Sequence, residues 1–168
     1  LSLGIIEEDL MKNLNGKWRN CLRKGQKIGV KVELDNDNQS NFDYLIKFYN
    51  EQQLNKGFDG ISNKMLKALY ENQSEYFKFN IFIAREESII TGILVTIQFR
   101  NTSEYLIGVT NDKGRKNQSN SVLLWESILE AKRNSCLWYD VGGLDSICLL
   151  YTSPSPRDLS TSRMPSSA

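Results

Sequence analysis

The spacing of apolar residues predicts a helical region near the start of the chain. Over residues 5–27 apolar side chains recur at three- and four-residue steps, so they form one stripe along a helix. Gly16 lies in the middle of this stripe, which leaves either one helix or two, and Gly25 and Gly29 predict its end. The stripe contains Leu10, Met11, Leu14, Trp18, Cys21 and Leu22.

A short strand and two further helices are predicted next. Residues 30–34, VKVEL, alternate between apolar and polar side chains, as a half-buried strand does. After the polar loop DNDNQS the helical period returns twice, first in a helix that ends near Gly57 and then over residues 61–70. The apolar positions are Phe42, Leu45, Ile46 and Tyr49 in the first helix and Ile61, Met65, Leu66, Leu69 and Tyr70 in the second.

The middle of the chain has the two-residue period of strands. Residues 76–84, 88–99 and 104–110 are rich in β-branched and aromatic side chains, and the connections between them are short. Three such strands predict an antiparallel meander, with Glu86 and Glu87 at the first hairpin tip.

A helix and a last strand follow the meander. The polar loop NDKGRKNQSN leads into the helix SVLLWESILEAKRN, for which we expect Ser119 or Asn120 to be the N-cap. CLWYDV, residues 136–141, is then expected to be a buried strand that the helix returns parallel to a neighbour. This order predicts an α/β fold, the mixed sheet with flanking helices of the Gcn5-related N-acetyltransferases, although order alone does not establish function.

The composition limits the kinds of catalytic and metal site that the chain can contain. The 168 residues carry a net charge of +1 and include no histidine. A Ser-His-Asp or Cys-His catalytic unit is therefore excluded within this chain, because histidine supplies the base in both. Cys21, Cys136 and Cys148 have no metal-ligand spacing, so we expect free thiols in a reducing compartment and no metal site.

Two separated motifs resemble the Fem family of aminoacyltransferases, which includes the lipid II glycyltransferases that build peptidoglycan cross-bridges. NGKWRNCLRKGQKIGVKV is similar to the family's Lys-x-Arg-x-x-x-Arg-Lys helix, with its following glycine and short strand. SVLLWESILEAKRNSCLWYDVGG resembles the family's last helix and strand, through LLWE, AK and YDVGG. The family has Tyr-Asp-Phe-Gly-Gly at that point, so Val141 is a departure. The order and spacing of the motifs, over about 145 residues, carry the resemblance.

The resemblance implies a substrate-binding role for the basic helix, with Lys17, Arg19 and Arg23 as the residues concerned. No acid occurs from Leu10 to Val32, and such a cluster of cations can hold the phosphates of an activated cell-wall precursor or of tRNA. The alternative is a solvated helix face, which is the usual role of a charged run.

The end of the last strand supplies a candidate catalytic residue, Asp140. A carboxylate there can accept a proton from an attacking amine, and Gly142 and Gly143 permit a substrate to approach the backbone closely. The alternative is that Asp140 braces a turn in which the glycines supply positive φ. Gly108, inside the third meander strand, marks either a bulge like that of acetyltransferases or a close-packing position.

The loop after the meander bears on the choice of cofactor. Coenzyme A enzymes of this fold surround the pyrophosphate with the pattern Gln or Arg, two residues, Gly, one residue, Gly or Ala. NDKGRKNQSNS has one glycine, Gly114, and lacks the pattern, which argues against coenzyme A. Arg115 is a candidate for substrate binding through phosphate, together with Lys113 and Lys116.

The resemblance implies an aminoacyltransferase that moves an amino acid from aminoacyl-tRNA to a lipid-linked or nucleotide-linked peptidoglycan precursor. It implies no resident cofactor, a cytoplasmic location and peripheral contact with the inner membrane surface. Two alternatives stay open. One is an acyl-coenzyme A-dependent N-acyltransferase of cell-surface polysaccharide assembly, which would use acetyl-coenzyme A; the other is a non-catalytic binding domain.

The chain divides into three parts in this interpretation. Residues 1–27 are a helical linker from a missing first domain, and residues 28–147 are an incomplete acetyltransferase-like domain whose sheet exposes an edge. We expect this fragment to be inactive by itself. Residues 148–168 resemble a translated sequencing adapter, because CLLYTSPSPRD and SRMPSSA match its two ends codon by codon, so a non-native, disordered tail is expected there.

Overall fold

The computed structural model of the chain describes residues 1–35 and 39–141. The predicted tail and the candidates Gly142 and Gly143 lie outside the described residues. The helices are α1 (Glu7–Asn13), α2 (Gly16–Ile28), α3 (Gln39–Lys56), α4 (Asn63–Glu71), α5 (Asp112–Lys116) and α6 (Ser119–Arg133). The strands are β1 (Lys31–Leu34), β2 (Phe77–Glu86), β3 (Ile89–Phe99), β4 (Thr102–Thr110) and β5 (Trp138–Asp140).

The five strands form one mixed sheet in the order β1-β2-β3-β4-β5. β1 to β4 pair antiparallel with their neighbours along the chain, whereas β5 pairs parallel with β4. Helix α6 makes the crossover between these two parallel strands. The turn between β2 and β3 holds Glu87 with a φ of 56°. The predicted meander, its first hairpin tip and the parallel last strand are confirmed.

The N-terminal helical stripe is two helices rather than one. Asn15 separates them, and its side chain accepts the backbone N–H of Lys17, so it caps α2. Gly16 is thereby the first residue of α2 instead of a weak point inside a longer helix. Gly29 ends α2 with a φ of 93°, a conformation that glycine adopts without steric cost.

The two faces of the sheet bury separate apolar clusters. Helices α1, α2 and α6 cover one face, and α3 and α4 cover the other, so the sheet lies between two helical layers. The first cluster includes Leu3, Leu10, Leu22, Phe82, Leu94, Trp125 and Tyr139, and the second includes Phe42, Leu45, Leu66, Phe79, Ile93 and Val109. The division into a linker and a domain at residue 27 stays a prediction.

The edge of the sheet beyond β5 is covered by the residues that precede α1. Ser2 forms an antiparallel bridge with Trp138, and the N–H of Leu3 donates to the carbonyl of Leu137 at 2.8 Å. The expectation of an exposed edge is wrong here, because residues from the other end of the chain occupy it. Among the described residues, no helix is long and apolar enough to cross a bilayer.

Two local expectations before α6 were also wrong. The polar loop is partly helical, because it contains α5. Neither Ser119 nor Asn120 is the N-cap of α6: Gln118 occupies that position with a φ of 65°. The side chain of Asn117 instead accepts the N–H of Ser119 at 3.0 Å. The capping side chain therefore belongs to the residue that precedes Gln118.

Candidate active site

The parallel pairing of β4 and β5 places Asp140 beside Glu104. The register joins Thr102 to Trp138 and, two residues later, Glu104 to Asp140. Residues in register share a face of the sheet, and both acids are exposed. Glu104 could not be identified from the sequence, because only the register between two distant segments makes it a neighbour of Asp140.

A β-bulge lies in β4 two residues after Glu104. Val95 pairs with Ile107, whereas the next residue of β3, Thr96, pairs with Tyr105. Leu106 is therefore the extra residue, and a bulge leaves the backbone of such a residue outside the regular ladder. The candidate catalytic carboxylate thus pairs with β4 two residues before the extra residue of the bulge.

Gly108 is a close-packing position, and the bulge lies two residues before it. Gly108 pairs regularly with Leu94, and a Cβ at this position would collide with the phenol ring of Tyr105. The extra residue Leu106 brings Tyr105 and Gly108 to the same face, so the missing side chain leaves room for the ring. Of the two interpretations of Gly108, close packing is confirmed.

The basic residues of α2 divide into two structural roles. Arg19 donates from Nη1 to the carbonyls of Met11 at 3.3 Å and Lys12 at 3.0 Å, so it joins α2 to the end of α1. Lys17 and Arg23 are exposed, and neither has an ion-pair partner in residues 1–35 or 39–141. Sequence could not separate these roles, because the carbonyl partners of Arg19 depend on how the two helices meet.

The exposed side of α2 borders an open concavity of about 500 Å³ next to the start of α6. Gly25 sets the closeness of the two helices, since a Cβ there would lie 2.5 Å from Cγ2 of Val122. The Gln118 side chain donates to the Arg115 carbonyl at 3.2 Å, so α5 lies beside the same concavity. The lining residues are Lys17, Asn20, Cys21, Lys24 and Gln118.

Two of the three basic side chains of α5, Lys113 and Arg115, have partners within the protein, whereas Lys116 is exposed. Arg115 donates from Nη1 to the carbonyl of Thr110 at 3.0 Å and pairs through Nη2 with Asp112. Lys113 forms an ion pair with Glu86 at 3.1 Å. These contacts hold α5 against the ends of β2 and β4, and they compete with any phosphate for both cations.

The turn between α5 and α6 is filled by the protein's own groups. Asn117 accepts the N–H and the hydroxyl of Ser119 at 3.0 and 2.6 Å, and it donates to Glu86 at 2.8 Å. The hydrogen bond from Asn117, and then the neighbouring lysine, lower the pKa of Glu86 below its ordinary value, so this carboxylate stays charged. A Cβ on Gly114 would overlap the carbonyl of Thr91. Groups of the protein itself therefore occupy the Ser119 amide and the space beside Gly114.

The candidate residues occupy two separate regions. Asp140 lies beside the start of β4, whereas Arg115 follows its end; the strand between Glu104 and Thr110 is roughly 20 Å long. Lys17 lies in the second region, with the α5–α6 turn. The described residues contain no group of three side chains that could hold a metal ion.

Lys132, the lysine of the AK motif, makes two structural hydrogen bonds. Its Nζ donates to the carbonyls of Leu3 and Ile5 at 2.9 and 2.6 Å. It therefore fixes the segment that covers β5. The motif resembled the Fem family in sequence, but the partners of its lysine lie at the other end of the chain and could not be predicted.

Comparisons with known proteins agree with this architecture. The model of the acetyltransferase (GNAT) domain family matches residues 10–147. The crystal structure of FemX has a TM-score of 0.66 at 15% identity, over 86% of this chain and 52% of FemX. The C-terminal domain of a protein described as a lysylphosphatidylglycerol synthetase, from Agrobacterium fabrum, has a TM-score of 0.62 at 12% identity, over 84% of this chain and 44% of that chain. No curated protein matches the sequence.

The likeness to the two solved structures shows the fold, and this chain spans about half of their length. Both motifs that resemble the Fem family lie within or next to elements that these comparisons cover. The predicted fold class, a mixed sheet with flanking helices like that of the Fem proteins, is confirmed. Since the family match covers most of its residues, the chain belongs to the acetyltransferase (GNAT) domain family.

Proposed function

We propose that this chain is part of an aminoacyltransferase that moves an amino acid from aminoacyl-tRNA to an amine of a peptidoglycan precursor. The acetyltransferase family supplies the reaction class, the attack of an amine on an activated acyl group. The names of the two structural neighbours support an aminoacyl group as the one transferred: FemX belongs by name with the Fem proteins, and lysylphosphatidylglycerol is a lipid that carries an amino acid.

One observation carries the choice of donor. In the α5–α6 turn the side chain of Asn117 accepts the N–H of Ser119, and within α5 Gly114 packs against Thr91. This supports a donor whose binding does not require pyrophosphate contacts at the turn. An aminoacyl-tRNA is such a donor, whereas coenzyme A is not. No resident cofactor is therefore part of the proposal, and acetyl-coenzyme A is the donor that it opposes.

The proposed reaction forms one amide bond and breaks one ester bond. The precursor amine attacks the carbonyl carbon of the aminoacyl ester, and the bond to the ribose oxygen of tRNA breaks. Asp140, exposed near the bulge in β4, accepts the proton that the amine loses and returns it to the ribose oxygen as that oxygen leaves. A backbone amide that the bulge turns out of the ladder stabilises the negative charge on the carbonyl oxygen in the transition state.

The test uses the complete protein that contains this chain, since we expect the 168-residue chain to be inactive alone. It is supplied with tRNA charged with a radiolabelled amino acid and with lipid II or a nucleotide-linked precursor. Label in the precursor supports the proposal. Absence of label, together with acetyl transfer from acetyl-coenzyme A, contradicts it, and turnover by the 168-residue chain contradicts the expected inactivity.

A further inference from the structure

We infer that the exposed basic side of α2 binds the phosphate backbone of an RNA. This surface, which we call the basic face, consists of Lys17, Arg23, Lys24 and Lys27. It includes the open concavity that Gln118 borders. The inference rests on the proposed function, because it assigns the tRNA donor to one particular surface of the chain. It leaves Arg19 out, since that side chain is bound to the end of α1.

Helix geometry makes the basic face continuous. Lys17 and Lys24 are two turns apart, and Asn20 and Cys21 lie between them on the same side, so all four border one concavity. Arg23 and Lys27, one turn apart, extend the face beyond it. From Lys17 to Lys27 the rise is about 15 Å along the helix axis.

The charges of the basic face are not compensated by neighbouring side chains. Helix α2 contains five cations and no acid. In the part of the chain that the structure describes, no ion pair involves any residue of the basic face. By contrast, Lys113 and Arg115 on nearby α5 are each paired with an acid. The basic face therefore keeps its full charge for an external anion.

The extended row of cations favours a polymer of phosphates over a single pyrophosphate. A row of about 15 Å is longer than one pyrophosphate and can contact several successive phosphates of a polynucleotide strand. Asn20 and Gln118 add amide groups of the kind that contact phosphate and sugar oxygens.

A lipid surface fits the basic face less well. A helix that binds in a membrane interface presents large apolar side chains to the lipid. Trp18 and Leu22 of α2 instead pack into the core with Trp125. Only electrostatic attraction would therefore hold α2 against a bilayer. Binding to lipid is an alternative that the experiments below distinguish from RNA binding.

The first experiment measures the affinity of the 168-residue chain for fluorescein-labelled, uncharged tRNA by anisotropy at several salt concentrations. The double variant Lys17→Ala/Lys24→Ala should bind at least about tenfold more weakly, because two charge-assisted contacts are lost. The dependence of log K on log salt concentration should flatten by about two units. The matched control, Lys56→Ala/Lys64→Ala, removes two exposed lysines from α3 and α4 and should leave both quantities unchanged.

The second experiment needs no change on the basic face. Cys21 lines the concavity and is partly exposed, whereas Cys136 is buried. Bound tRNA should slow alkylation of Cys21, followed by mass spectrometry of its peptide, and should leave Cys136 at its own slow rate. Cys148→Ser removes the remaining thiol from the measurement.

The results separate this inference from the proposed function. If both double variants weaken tRNA binding equally and bound tRNA does not protect Cys21 from alkylation, the basic face is not the RNA site. Label transfer by the complete protein would still support the proposed function in that case. Absence of tRNA binding overturns the inference. Binding to anionic phospholipid vesicles that depends on Lys17 and Lys24, without tRNA binding, also overturns it and assigns the face to a membrane surface.

Discussion

Gly114, within α5, lies directly against the backbone carbonyl of Thr91 in β3, so that no side chain fits at this position. The glycine thereby lets α5 pack onto the sheet. The backbone N–H of Ser119, in the turn that follows, donates a hydrogen bond to the side chain of Asn117. The choice of acyl donor in our account depends on this internal use of the turn.

Gly114→Ala should lower the free energy of unfolding by about 1–3 kcal/mol, because the added methyl group must displace the backbone of β3. Urea denaturation measures the change. Gly16→Ala is the matched control, since the nearest neighbour of its Cβ is a guanidinium nitrogen of Arg19 at 4.0 Å and alanine favours the helix. Equal stabilities of the two variants would show that Gly114 is not packed as described.

Lys132→Met should cost about 2 kcal/mol of stability, because the carbonyls of Leu3 and Ile5 lose a charged donor. The amide proton of Leu3, which bonds to Leu137, should exchange faster with solvent as the segment loosens from β5. Hydrogen exchange detected by NMR checks this. Lys64→Met on α4 is the control; unchanged exchange at Leu3 in the Lys132 variant would contradict the role of this lysine.

Glu126→Gln should stabilise the protein at neutral pH. Burial raises the pKa of Glu126, against a smaller opposing effect of Arg133. A carboxyl whose pKa is raised by folding stabilises the fold while protonated, and this contribution is lost as the pH rises from 4.5 through the folded-state pKa. The gain in stability of the Glu126→Gln variant should therefore be present at neutral pH and disappear below the pKa of Glu126 in the unfolded chain.

Urea midpoints measured between about pH 4 and pH 8 follow this difference. Glu75→Gln, at an exposed position, serves as the control and should show no comparable gain. A glutamine variant at position 126 that is less stable than the wild type at neutral pH would mean that the contact with Arg133 outweighs burial.

Asp140→Asn should lower kcat of label transfer by the complete protein about 10²- to 10⁴-fold, because the amide cannot accept the proton of the attacking amine. Glu104→Gln, the adjacent exposed acid, is the matched comparison and should have a much smaller effect. The loss of kcat in the Asp140 variant should shrink as the pH rises, because solvent then takes up the proton that Asp140 accepts in the wild type. Equal activity of the Asp140 variant and the wild type would remove Asp140 from the mechanism.

The sequence predicts the elements of this fold well because their signals are local. Strands β2, β3 and β4 are rich in β-branched and aromatic residues and follow each other through short turns, so their meander could be predicted. Helix α5 was missed because five residues that include Gly114 and several polar side chains carry no apolar period.

The contacts that define the candidate site could not be predicted in the same way. The pairing of Glu104 with Asp140 and the bulge at Leu106 depend on the register between strands, which no single segment encodes. The role of Arg19 depends on the angle between α1 and α2. In each case the determining partner is set by tertiary packing, so the residue types alone left the alternatives open.

We propose that this acetyltransferase-type domain does not use coenzyme A as its donor, and calorimetric titration with acetyl-coenzyme A decides the question. We expect no binding heat from the chain, or from the complete protein, at concentrations up to the millimolar range. Binding with a micromolar dissociation constant would show that the α5–α6 turn opens for the pyrophosphate, and it would make coenzyme A the donor instead.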